Sequence, residues 1–223
     1  MSTINVDNIA EYTSSGKINA THDIKMASGK SILNSDGYST GAMVKLASTT
    51  ASDDAAIIFD NFVDHDTYIS YKLYFKDIKP GTDNVSFNVK FRTGGASGSY
   101  LTGNYGKFGY YGYGDSGTGT FISNSTATDY STVTGSVGSG ATETVSGSAE
   151  FFANSATGTP AINTIVNYKA DGGQRQVTNF TAMMEDAATA TGVAFYFSSG
   201  NVASGLINVY GVTKWVQHTE IDH

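Results

Sequence analysis

Between residues 69 and 76 apolar Ile69, Tyr71, Leu73 and Phe75 alternate with Ser70, Lys72, Tyr74 and Lys76, the two-residue period of a strand with one dry face. Residues 85–92 repeat the pattern, with Val85, Phe87, Val89 and Phe91 on one side and Ser86, Asn88, Lys90 and Arg92 on the other. Between the runs, Pro80-Gly81-Thr82-Asp83-Asn84 is turn chemistry, so the spacing predicts a β-hairpin with a dry side and a wet side. At about 1.5–3 kcal/mol per large buried side chain, those apolar residues suffice to start a core, provided a second sheet covers them.

The expected cover is in the C-terminal third. Val193, Phe195 and Phe197 form another alternating set, followed by the turn Ser198-Ser199-Gly200-Asn201. Ile207 and Val209, flanked by Leu206, Tyr210, Val212 and Trp215, then make a strand that is apolar on both faces. Such a strand is either central or an edge packed on a neighbouring subunit, which makes Leu206, Tyr210 and Trp215 candidate subunit contacts. Residues 162–168 and 177–184 are further strand candidates, and the threonines of 181–191 favour strand plus loop over helix. In the glycine-rich middle, residues 93–159, Tyr100, Tyr105, Phe108, Tyr110, Tyr111 and Tyr113 interleave with glycines, as short strands joined by turns would.

The first 44 residues differ. Ser15-Gly16-Lys17-Ile18 is echoed by Ser28-Gly29-Lys30-Ser31-Ile32, and Ile18, Ala20, His22, Ile24 and Met26 alternate with polar residues. One echo is too little for a solenoid. Residues 1–44 are read as an extended arm or small hairpin that docks on other subunits through Ile4, Val6, Ile9, Ile18 and Ile24, and residues 45–223 as the sandwich.

Composition supports strands and excludes several functions. With 15% charged residues, 12% aromatics and 26 glycines, the chain is unlike a helical protein and too aromatic for a disordered one. It has no cysteine, which excludes a disulfide framework and a thiolate metal site. A net charge of −7 with only Arg92 and Arg175 as arginines argues against nucleic acid as partner. No apolar run of about 18 residues is present to insert into a membrane, and Met1 to Asp7 lacks the features of a secretory signal.

Catalytic motifs are missing from the sequence: there is no Gly-x-Ser-x-Gly, no His-Glu-x-x-His and no EF-hand spacing. Gly29-Lys30-Ser31 ends like a phosphate-binding loop, but the upstream glycine that motif needs falls in Asp23-Ile24-Lys25. Asp53, Asp54, Asp60, Asp64 and Asp66 are read as a solvated acidic loop, and the alternating His218, Glu220 and Asp222 as a terminus, so neither set is assigned a metal. No catalytic residue and no cofactor is expected. Tyr100, Tyr105, Tyr110, Tyr111 and Tyr113 carry two readings: aromatic faces for a glycan, or cross-strand and subunit contacts.

The segment Phe195-Tyr196-Phe197-Ser198-Ser199-Gly200-Asn201, continuing through Leu206-Ile207-Asn208-Val209-Tyr210-Gly211-Val212, resembles the closing hairpin of β-sandwich domains in virion proteins of tailed bacteriophages. Asn61-Phe62 with residues 68–75 and 87–93 resembles their opening strands, and Ile4-Asn5-Val6-Asp7-Asn8-Ile9 is similar to leading segments of phage fibre and surface proteins. The resemblance implies an all-β, antiparallel, jelly-roll-like sandwich with an extended N-terminal arm. It also implies a non-enzymatic protein of the virion surface: a capsid decoration, fibre or tail-attached protein, homotrimeric, contacting other capsid or tail proteins. The alternative is a module that recognises host cell-surface glycans.

Overall fold

A computed structural model describes residues 43–94, 98–114, 116–126, 129–154 and 158–214, with the backbone alone for 124–126. The arm residues Ile4, Val6, Ile9, Ile18 and Ile24, together with Trp215, His218, Glu220 and Asp222, lie outside the described residues.

The described chain is all β. Its strands are β1 (Met43–Asp54), β2 (Ile57–Phe59), β3 (Tyr68–Pro80), β4 (Val85–Thr93), β5 (Ser99–Tyr100), β6 (Tyr105–Tyr113), β7 (Thr118–Thr126), β8 (Ser131–Val137), β9 (Val145–Phe152), β10 (Ala161–Lys169), β11 (Arg175–Met184), β12 (Gly192–Phe197) and β13 (Val202–Thr213). Every pairing between them is antiparallel. The larger sheet runs β1-β13-β3-β9-β10-β11-β6-β7; the smaller runs β2-β12-β4-β5, with β8 also paired to β4.

Eight strands, β1 to β4, β8, β9, β12 and β13, form the sandwich proper. Counted along the chain, the first, eighth, third and sixth share one layer, and the second, seventh, fourth and fifth share the other. That double Greek key is the jelly roll. Two insertions enlarge it: β5–β7 between β4 and β8, and β10–β11 between β9 and β12. Strands β10, β11, β6 and β7 continue the larger sheet past β9 as a wing.

The expected hairpin of residues 69–91 is an arch instead. β3 and β4 belong to different sheets, and their dry faces meet across the sandwich, with Phe75 and Phe87 edge to face at 5.9 Å. β12 and β13 part in the same way around the 198–201 turn. Alternation fixes which face of a strand is dry but not which strand lies beside it, and an arch buries two dry faces against each other where a hairpin leaves both uncovered. The two turns abut, the Gly81 amide donating to the Asn201 carbonyl at 2.9 Å. The two-sided apolar strand is central, β13 lying between β1 and β3.

Phenylalanines fill the interior. Phe195 packs on Phe75 at 5.0 Å and on Phe87 at 5.7 Å, and Phe91 stacks on Phe151 at 5.5 Å. Phe87, Phe91, Phe151 and Phe195 are all fully buried. Each such ring pair contributes about 0.5–1.5 kcal/mol beyond the area it removes from water.

Candidate functional site

β6 carries the tyrosine–glycine run, and its position in the wing sorts that run by parity. Pairing with β11 sets Tyr105, Lys107, Gly109, Tyr111 and Tyr113 opposite Met184, Ala182, Phe180, Thr178 and Gln176, whose side chains are buried on the inner face. Gly106, Phe108, Tyr110 and Gly112 therefore point outward.

The five candidate tyrosines divide among four environments. Tyr105 belongs to the core, 2% exposed, its ring 5.3 Å from Phe91. Tyr110 is half exposed on the outer face, lying over the Gly112–Gly119 pair; a Cβ at Gly119 would fall 1.5 Å from its hydroxyl, so only glycine admits the ring there. Tyr111 and Tyr113 line a cleft on the inner face, their rings edge to face at 4.8 Å. Tyr100, on β5 of the smaller sheet, lies under the Arg92 guanidinium at 4.6 Å, with Lys90 5.2 Å from its ring. Arg92 is fixed there by a two-pronged ion pair with Asp60, at 2.5 and 2.9 Å.

The cleft opens where the wing passes the edge of the smaller sheet. Its volume is about 410 Å³. Lys107, Tyr111 and Tyr113 come from β6, Thr120 and Ile122 from β7, Phe180 from β11, Thr132, Thr134 and Gly135 from β8, and Ser86 from β4. Cross-ties fix the two walls: the Thr178 hydroxyl donates to the Val133 carbonyl at 2.8 Å, and the Gly135 amide donates to the Tyr168 hydroxyl at 2.9 Å. The Tyr168 phenol also meets that of Tyr111, whose hydroxyl donates to the Gln176 side-chain carbonyl. Burial, then the Tyr111 neighbour, pushes the Tyr168 phenol above its ordinary range, so the relay stays protonated and holds the Tyr111 ring in place.

Among the described residues that line the cleft, Lys107 is the one that carries a charge. Its ammonium donates to the Thr132 hydroxyl and stands 4.6 Å from the Phe180 ring centre. Burial holds its pKa below the usual lysine range. Neither ion pair among the described residues involves it. The arrangement offers aromatic faces, hydroxyls and one cation, which is the equipment for binding a polar ring.

Lys107, Gln176, Phe180 and the β8 threonines are members that the sequence pattern did not single out. The signal for Lys107 was present, since it shares parity with Tyr105, Tyr111 and Tyr113. The threonines of β8 lie in a separate segment with no local mark.

The outer face of the larger sheet holds a second feature. Ser48, Asn208, Tyr74, Ser148, Ile165, Asn179, Tyr110 and Phe121 are successive cross-strand partners, one row spanning all eight strands. Tyr74, Ile165, Tyr110 and Phe121 are exposed by 42, 55, 50 and 70%. Phe108 and Val177 widen the apolar band, and the candidate contact residues Leu206 and Tyr210 share the face, Tyr210 edge to face with Tyr74 at 5.7 Å.

Of the acidic residues expected in one loop, Asp53 and Asp54 end β1 instead; Asp60 serves Arg92, Asp64 accepts the amides of Asp66 and Thr67 at 2.9 and 3.3 Å, and Asp53 accepts from the Asn201 side chain at 3.2 Å. Among the described residues no group of three His, Asp or Glu side chains is placed to hold a metal ion. No family model matches the chain, and comparison with curated proteins and with solved structures returns no match.

Proposed function

We propose that the chain is a non-enzymatic structural protein of the exterior of a tailed-bacteriophage particle, a capsid decoration, fibre or tail-attached protein. It assembles as a homotrimer through the outer face of its larger sheet. The observation that carries this reading is the apolar row of Tyr74, Ile165, Tyr110 and Phe121. Exposed apolar side chains scattered singly need no explanation, whereas here four share one row of one sheet face, spaced by Ser148 and Asn179, with Tyr110 and Phe121 side by side. Jelly rolls recur in viral capsids, although a fold alone does not select a function.

Sedimentation velocity tests it. The purified chain is expected as a trimer, and Tyr110→Asp with Phe121→Asp is expected to give a monomer of unchanged far-UV circular dichroism. A wild-type monomer at micromolar concentration contradicts the assembly reading.

A second reading, recognition of host cell-surface glycans, is favoured by the cleft of Lys107, Tyr111 and Tyr113. It is compatible with the first because the cleft and the apolar row use opposite faces of β6. Glycan binding lost on Tyr111→Ala or Tyr113→Ala but retained on Tyr110→Ala is its expected signature.

A further inference from the structure

We propose that the cleft takes an acidic saccharide, with the Lys107 ammonium pairing with the sugar's carboxylate. The inference rests on the glycan reading of the cleft and adds the class of sugar.

Three observations carry it. The first is charge: Lys107 has three N–H donors, yet among the described residues its ammonium meets one hydroxyl, that of Thr132, and one ring, that of Phe180. A partly buried cation without a counter-charge is costly, and among the described residues of the cleft wall no carboxylate supplies one. A carboxylate carried in by the ligand completes the pair with a charge-assisted hydrogen bond, stronger than one between neutral groups.

The second is shape. At about 410 Å³ the cleft falls in the range of organic ligand sites, about 300–1,000 Å³, and is far larger than a simple anion requires. Perpendicular Tyr111 and Tyr113 rings give two apolar walls for a sugar face, and Thr120 and Thr132 add hydroxyls for its ring substituents. The third is contrast. The chain carries a net charge of −7, so its long-range field disfavours anions, and retention of an acidic sugar must come from this local cation.

The test is an array of galacturonic, glucuronic and sialic acid oligosaccharides, their carboxyl methyl esters and neutral oligosaccharides, probed with the wild-type chain and Lys107→Met. Wild type is expected to bind an acidic oligosaccharide about ten- to a hundredfold more tightly than its ester, and Lys107→Met is expected to erase that difference. The acid–ester comparison needs only wild type, so it stands even if the variant folds poorly. Equal binding of acid and ester, or binding of neutral sugars that survives Lys107→Met, overturns the acidic assignment and leaves the glycan reading intact. Binding to no member overturns both.

Discussion

Replacing Tyr105 by Phe removes a single oxygen atom, and the structure says what that atom does. β4 is paired to β8 through Val89 and to β5 from Arg92 onward, and Phe91 falls in the gap between the two partners. There the Phe91 amide donates to the Tyr105 hydroxyl at 3.0 Å, and that hydroxyl donates to the Leu101 carbonyl at 3.3 Å. The side chain of β6 thus stands in for a missing ladder partner. Tyr105→Phe leaves the Phe91 amide buried and unpaired, which costs about 1–3 kcal/mol. In a chain of this length that is a fall in Tm of roughly 2–12 °C.

The same residue gives a pH test. Burial pushes the Tyr105 phenol up to about 12 from 10.0. Its folded-state pKa is raised, so the stabilisation is complete below pH 10 and is lost as pH climbs through 12, because the unfolded chain releases this proton first. The stability gap between wild type and Tyr105→Phe is therefore expected to narrow from pH 10 to pH 12. Urea denaturation across that range, with the slope m unchanged, is the assay. A variant as stable as wild type at pH 8, or a gap that widens with pH, refutes the reasoning.

Two further substitutions probe the scaffold. Asp60→Ala strands the nearly buried Arg92 guanidinium and is expected to cost about 3–5 kcal/mol in urea denaturation, with little change if the pair is only superficial. Gly205 holds a φ of 128° at a register shift between β13 and β3, where a Cβ would lie 2.6 Å from the Ile78 Cα; Gly205→Ala is expected to lower stability by at least about 1–3 kcal/mol, and a neutral result contradicts the tight packing of that bulge.

How much of this was legible in the sequence depends on the kind of information. Face assignment was legible along most of each strand, because Leu73, Phe75, Phe87, Val89, Phe195 and Ile207 were marked as dry by period alone and are all buried, but at the start of β3 Ile69, expected on the dry face, is exposed and Ser70 is buried, and Asn88 and Arg92 on the expected wet face of β4 are buried as well. Pairing was not: nothing local distinguishes a turn that folds β3 back onto β4 from one that carries the chain across to the opposite sheet. The tyrosine run shows the same limit on a smaller scale. Parity separates Tyr110 from Tyr111, but what separates Tyr105 from Tyr113 on one face is how far β6 has run, from beneath β4 and β5 to the rim beyond β8. The cleft needed β8 as its second wall, and that contact joins segments distant in the chain.

The most direct measurement of the central claim is a cryo-electron microscopy reconstruction of a particle that carries this chain. Three copies are expected around a local threefold axis, with Tyr74, Ile165, Tyr110 and Phe121 covered by protein and the cleft of Lys107, Tyr111 and Tyr113 facing solvent. A particle in which that apolar row faces solvent while the cleft is buried between subunits would contradict it.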